Sequence, residues 1–271
     1  MSMVYTLSDF ALKQGYVLES YKNVDSTNLI AQRKANAGHH GYLWIVAEEQ
    51  TQGRARRGRA WYSPKGNLYS SLLLINDIVC QTAAQLGFVA GVSIVETIRH
   101  FIKDKENSIV SLKWPNDILL KGAKSAGILL ELFTLTPKKY GLVIGIGVNV
   151  KHHFKDAPYL TSSIKNIGLD IEKEKLFMVL TKCFAENYLL WKQLGGCDII
   201  REKWLLYSAH LGQPIKIVNG EKLTEGIFDG LDHDFNCIVR QKDGQKAIIT
   251  AGDVHFGLAA SINTNVNTNR Y

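Results

Sequence analysis

Two short segments of the chain concentrate residues able to do chemistry. The first runs from Gly53 to Trp61 as Gly-Arg-Ala-Arg-Arg-Gly-Arg-Ala-Trp and carries Arg54, Arg56, Arg57 and Arg59. Guanidiniums packed this closely repel one another, so the run is tolerated only where solvent surrounds it or where it meets carboxylate or phosphate groups. Gly53 and Gly58 give its backbone the freedom to close over a ligand. On composition alone a solvated basic loop or a nucleic-acid contact competes with an anion site. It is not a phosphate loop of the GxxxxGK[ST] kind, which occurs nowhere in the chain. The second segment is Lys113-Trp114-Pro115-Asn116-Asp117, followed by Lys124-Ser125-Ala126-Gly127. An aromatic wall, a fixed turn, an amide and a carboxylate leave one strand together. Lys124 follows Asp117 across a hairpin signal, which can bring an ammonium beside a carboxylate. The competing reading is a Pro-Asn turn with a surface lysine. Apolar runs on both sides favour polar residues emerging at a sheet.

Two further segments carry weaker signals. Asp25-Ser26-Thr27-Asn28 has helix-cap chemistry. Gly145-Ile146-Gly147-Val148-Asn149 closes an apolar strand; it lacks the third glycine of a dinucleotide fingerprint, but a glycine-rich strand lets a ligand approach the backbone. The eight histidines form no HExxH, and GxSxG is absent. Metal hydrolysis and serine hydrolysis are unsupported.

The elements that must position these residues read as a mixed α+β domain. Helices are expected at 9–14, from Ser26 to about Ala37 with Gly38 in the left-handed stop position, at 82–102, 172–194 and 197–207. Strands are expected at 16–21, 43–48, 68–75, 109–113, 118–120, 126–133 and 140–150, forming a mainly antiparallel sheet; residues 50–63 read as a long loop and 121–124 as a hairpin turn. From about Gln213 short apolar runs alternate with Asn219-Gly220, Asp229-Gly230 and Asp243-Gly244, the pattern of a small β-barrel. The expected division is 1–208, 209–260 and a disordered tail, 261–271.

Apolar residues make up 46% and charged residues 21% of 271, the balance of a folded globular chain. The net charge is +7, but four of the cations lie in the one arginine loop, which argues for a local anion site over a basic face. The four cysteines form no CxxC pair, which suits a reducing compartment, and with no signal-peptide core or membrane-length apolar run the expected location is cytoplasmic.

Taken in order, DSTN, EEQTQGRARRGRAW, SLKWPNDILLKGAKSAGILLEL and GIGVNV resemble the biotin protein ligases. The resemblance covers roughly 16–150 by motif and the C-terminal segment by pattern. It implies a catalytic domain like that of class II synthetases, which joins biotin to ATP with Mg2+ and passes biotin to a lysine of a biotin carboxyl carrier protein of acetyl-CoA carboxylase or a related carboxylase. By that resemblance Lys124, Arg56 and Asp117 are catalytic: Lys124 bridges the biotin carboxylate and the α-phosphate, Arg56 retains the adenylate, and Asp117 orients or deprotonates the incoming amine. Ser26, Thr27, Gln50, Gly53, Arg54, Trp61, Lys124, Gly127 and Ile128 line the biotin site. Arg56, Arg57, Arg59, Lys113, Asn116 and Asn149 serve the nucleotide, and no metal ligands are assigned. The family usually has glycine where Ala55 stands, and His255-Phe256-Gly257 replaces its commoner serine-leucine-arginine continuation. Only 24 residues precede Asp25, so a ligase without a DNA-binding domain is expected, with no membrane association and a homodimer through the strand at 140–150 as a possibility. A lipoate or octanoate ligase or transferase of the same fold, and a basic, non-enzymatic nucleic-acid-binding protein, are the alternatives.

Overall fold

The computed structural model describes residues 4–75, 82–102, 109–137 and 139–256. The expected tail at 261–271 lies outside them. The chain divides into two compact units, 1–209 with 233–235, and 210–232 with 236–271.

The first unit contains α1 (Asp9–Lys13), β1 (Val17–Val24), α2 (Thr27–Asn36), β2 (Leu43–Gln50), β3 (Leu68–Ile75), α3 (Gln85–His100), β4 (Val110–Lys113), β5 (Asp117–Leu120), β6 (Ala123–Thr136), β7 (Lys139–Val148), α4 (Lys173–Lys192) and α5 (Gly196–Tyr207). Its strands form one sheet in the order β1-β2-β3-β7-β6-β5-β4. Only β1 and β2 run parallel; every other neighbouring pair is antiparallel. The mixed, mainly antiparallel α+β architecture is as the sequence predicts.

Helices cover both faces, and β2 shows how. Leu43 and Ile45 join Ala31 and Ala35 of α2, with Leu73, Ile75 and Val143, in one buried cluster. Trp44, on the opposite face of the same strand, meets Phe177 and Phe184 of α4 edge-on at 5.6 and 5.7 Å. A strand buried on both faces reads as a continuous apolar run, as Leu43–Ala47 does. Trp44 is completely buried, so its truncation to alanine should cost about 3–5 kcal/mol.

The turn Lys121-Gly122 has both residues at positive φ, 49° and 78°, the geometry that matches the right-handed twist of paired strands. The hairpin is as expected, but β6 is longer than its apolar stretch, because the polar residues Lys124, Thr134 and Thr136 also pair with the neighbouring strands, while Ser125 falls in a register shift. One expectation is overturned. β7 pairs with β3 along one side and β6 along the other through Gly141–Val148, so its backbone hydrogen bonds are used and the strand at 140–150 is not a free edge for dimer formation.

The second unit holds β8 (Pro214–Asn219), β9 (Lys222–Leu231), β10 (Cys237–Arg240), β11 (Lys246–Ile249) and β12 (Asp253–Phe256) in the antiparallel order β11-β10-β9-β8-β12. β9 is shared between two partners, pairing with β8 through residues 222–227 and with β10 through residues 227–231, so a small antiparallel sheet stands where the sequence places the barrel. β12 was not anticipated from sequence; its four residues alternate too briefly to register.

Candidate active site

Sheet register, not proximity in sequence, assembles the site. Directly paired residues run across all seven strands as Tyr21, Ala47, Tyr69, Gly147, Gly127, Asp117 and Lys113. Paired residues share a face, so the aspartate of the Trp-Pro-Asn-Asp turn and the glycines of two other motifs stand in one row. Above that row lies Trp61. Its indole packs so closely on the two glycines that an added Cβ would sit 3.2 Å from it at Gly127 and 2.5 Å from it at Gly147. Space thus requires glycine at Gly147 and leaves little room for more at Gly127. The close approach expected of a glycine-rich strand is made, but by the protein's own side chains.

Lys124 Nζ lies 2.7 Å from Asp117 Oδ1. That oxygen is buried, and its contact with the ammonium is an ion pair, not an aligned hydrogen bond. The same ammonium stands 5.6 Å from the Trp61 ring centre and 5.4 Å from that of Tyr159. Backbone bonds from Lys124 N to Leu160 O and from Ser162 N to Lys124 O, both 2.9 Å, hold residues 160–162 beside the start of β6. A cleft of about 440 Å³ lined by His153, Lys155 and residues 157–161 adjoins it through Tyr159.

The arginine loop is more ordered than its composition implies. Arg54 and Ala60 form a bridge, and Arg56–Gly58 make a single 3-10 turn in which Arg57 adopts left-handed φ 57°. Arg56 Nη1 donates to Asn116 Oδ1 at 2.7 Å. The Asn116 amide also donates to Ile128 O, and Ile128 N returns a bond to Asn116 O. Arg54 Nη2 is 2.9 Å from Glu131 Oε1, and Arg59 Nε donates to Arg56 O at 3.3 Å. Lys113 is register partner to Asp117. Asn149 is buried, its amide donating to Ser162 O, so it braces the 160–162 segment.

A second polar group sits at the start of α2. Thr27 N and Thr27 Oγ1 both donate to Gln50 Oε1, at 2.9 and 3.1 Å. Gln50 Nε2 donates to Ser63 Oγ, which donates to Trp61 O. The Ser71 hydroxyl lies 2.7 Å from Thr27 Oγ1 and 2.6 Å from Asn28 Oδ1. Gly53 must be glycine because a Cβ there would meet Trp61 O at 2.3 Å. Ser26 occupies the N-cap position but makes no side-chain cap bond. Asp25 serves instead, accepting from Ser26 N and from Arg33. The Arg33 guanidinium holds the Asp25 carboxyl below the usual carboxylate range, against a smaller opposing effect of burial.

Sequence reasoning passed over Ser63, Ser71, Asn28, Glu131 and Tyr159. Asn28 belongs to the DSTN segment, and Ser71 and Glu131 are polar residues inside apolar strands, a signal that could have been read. Among the described residues no group of three or more His, Cys, Asp or Glu side chains could hold a metal. A Mg2+ ion commonly enters such a site on substrate phosphates.

Comparison with known proteins gives the family. The Biotin/lipoate A/B protein ligase family matches residues 21–149. The chain is 36% identical over 243 residues to the biotin–[acetyl-CoA-carboxylase] ligase of Paracoccus denitrificans, covering 86% of this chain and 98% of that one. The chain belongs to the biotin protein ligases. It is also 30% identical to the bifunctional ligase/repressor BirA of Bacillus subtilis, covering 86% of this chain and 72% of that protein. The biotin protein ligase of Aquifex aeolicus in complex with biotin and ATP superposes with a TM-score of 0.75 at 27% identity, over 89% of this chain and 99% of that one.

Proposed function

We propose that this protein activates biotin with ATP to biotinyl-5′-adenylate and transfers the biotinyl group to a lysine of a biotin carboxyl carrier protein, that of acetyl-CoA carboxylase or a related carboxylase. In the first step a biotin carboxylate oxygen attacks the α-phosphorus and pyrophosphate leaves. In the second the carrier amine attacks the activated carbonyl, AMP leaves and the amine gives up a proton. Both steps bring anions together, and preorganised cations lower that barrier most effectively in a partly dehydrated site.

The observation that carries this reading is the Lys124–Asp117 pair, set beside Trp61 and the glycine row. Lys124 offers its ammonium to the reacting carboxylate and phosphate. Asp117, paired with Lys124, is the carboxylate that we assign to orient the incoming amine or take its proton. Arg56, with Arg57 on the same turn and Arg59 next to it, closes over the adenylate. The Gln50–Thr27–Ser71 group presents donors and acceptors to a ureido ring, with Trp61 as an apolar wall.

The alternatives fit less well. Lipoate has no ureido group and would leave those buried polar atoms unmatched, a large penalty. A nucleic-acid surface would present the arginines outward, whereas Arg54 and Arg56 are turned onto Glu131 and Asn116. No helix among the described residues is long and apolar enough to cross a membrane, and Cys183, Cys197 and Cys237 are free thiols; we place the reaction in the cytoplasm. The test is pyrophosphate exchange into ATP with magnesium and biotin, lipoate or no acid. Exchange with biotin alone is expected. Exchange with lipoate alone, or none from folded protein, overturns the reading.

A further inference from the structure

We propose that Glu131 is a positioning residue of the biotin-head pocket, fixing the orientation of both Asn28 and Arg54; the inference rests on the biotin reading above. Glu131 stands in the run Leu129-Leu130-Glu131-Leu132 of β6, register partner to Val143, on the face covered by α2. A carboxylate in such a strand, with its side chain 17% exposed, loses hydration and needs partners at both oxygens. It has them. Oε1 is 2.9 Å from Arg54 Nη2, and Oε2 accepts from Asn28 Nδ2 at 2.7 Å.

The consequence for Asn28 is directional. An amide side chain has two orientations of almost equal shape, and its neighbours choose between them. An ionised carboxylate only accepts, so Glu131 draws Nδ2 toward β6 and leaves Oδ1 facing the Ser71 hydroxyl. Asn28 cannot swing aside, since it is buried and lies against Gly145, where an added Cβ would meet Oδ1 at 2.3 Å. The single Ser71 hydrogen goes to Asn28 Oδ1, which leaves the Ser71 oxygen as an acceptor 2.7 Å from Thr27 Oγ1, the residue that with Gln50 is assigned to the ureido ring.

The consequence for Arg54 is positional. Its side chain is 43% exposed and would otherwise range through solvent; Glu131 draws it to the sheet. The chain Ser63–Gln50–Thr27–Ser71–Asn28–Glu131–Arg54 therefore begins and ends on the stem of the arginine loop. One acidic side chain sets both the donor pattern of the pocket and the placement of the loop's first arginine.

The experiment is biotin-dependent pyrophosphate exchange into ATP by wild type, Glu131→Gln, Arg54→Gln and the double variant, with a thermal melt of each. Loss of a charge-assisted contact should raise KM for biotin roughly 10- to 100-fold in Glu131→Gln, with KM for ATP and kcat within about threefold of wild type. The double variant should be no more than about twofold worse than the more impaired single one, because each has already lost the same contact. Should Glu131→Gln not melt cooperatively, Arg54→Gln, on the loop, carries the same KM test. The proposal is overturned if wild type exchanges but KM for biotin in these variants stays within twofold, if both KM values and kcat fall away together, or if the two single effects multiply. Wild type lacking biotin-dependent exchange would instead sink the functional reading itself.

Discussion

Lys124 and Asp117 lie on opposite arms of a two-residue hairpin, with Nζ and Oδ1 2.7 Å apart and each side chain only 18% exposed. The pair is neither a surface ornament nor a sealed ion pair. The two opposite charges face each other in a place where water is scarce.

Replacing Lys124 with alanine removes the cation expected at the reacting carboxyl. Adenylate formation should fall by about 10²- to 10³-fold, the usual effect of losing one preorganised charge stabiliser. The change also leaves Asp117 partly buried without its counter-charge, so the variant should melt earlier than wild type. Adding Asp117→Asn should restore much of the melting temperature but none of the activity. Exchange rates within threefold of wild type in Lys124→Ala would remove Lys124 from the mechanism.

Arg56 reaches across to Asn116 at 2.7 Å, which fastens the arginine turn to the Trp-Pro-Asn-Asp segment. Arg56→Gly should release biotinyl-adenylate into solution, where it labels bystander lysines. Mass spectrometry of an added protein that is not a carrier should find biotin on many lysines with the variant and on few with wild type. Equal labelling by both proteins would show that Arg56 does not retain the intermediate.

The legible part of this fold was the part written in local pattern. The hairpin at Lys121-Gly122 and the helix stop at Gly38 follow from backbone preferences of single residues, and both are where the sequence puts them. The candidate residues in the arginine loop and the Trp-Pro-Asn-Asp segment likewise come together. The hidden part depends on register. Nothing local tells that Tyr69, Gly147, Gly127 and Asp117 share one row, or that Glu131 faces Asn28 from 103 positions away. The rejected dimer edge has the same origin, since a strand's length says nothing about how many neighbours it has. Ser26 holds the N-cap position that the sequence gives it, but its side chain makes no cap bond; Asp25, one residue earlier, accepts from Ser26 N and from Arg33.

Acid should reveal the Asp25–Arg33 pair. Arg33 donates to both Asp25 oxygens, at 2.9 and 2.7 Å, and holds the carboxyl below its unfolded value. A group depressed on folding contributes stability above its unfolded pKa and loses it as pH falls through the folded value. The pair is largely exposed, so solvent screening limits the contribution to about 0.5 kcal/mol. Asp25→Asn should therefore melt slightly earlier than wild type at pH 7, and the difference should shrink below pH of about 4. A difference that stays constant down to pH 3 would assign the effect to something other than this ionisation.

The sharpest steric test is Gly147→Ala. Gly147 is not held at positive φ, so alanine meets no backbone strain there. What it meets is the Trp61 indole, 2.5 Å from the new Cβ at Nε1 and 2.7 Å at Cε2. Neither distance is tolerable, and β7 is fixed by ladders on both sides, so the indole must move. Trp61 lies on the arginine-loop stem, where Trp61 N donates to Gly53 O and Trp61 O accepts from Ser63 Oγ. Displacing it disturbs the pocket wall and the stem together. KM for biotin should rise at least about tenfold, as expected when a close-packed contact is lost from a small ligand pocket, while KM for ATP changes less. Gly145→Ala, two residues earlier on the same face, collides instead with Asn28 at 2.3 Å and should impair biotin binding without shifting Trp61. Tryptophan fluorescence separates the two, because only the Gly147 variant moves an indole. An unchanged spectrum and unchanged KM for biotin in Gly147→Ala would mean that Trp61 does not form the wall of the site.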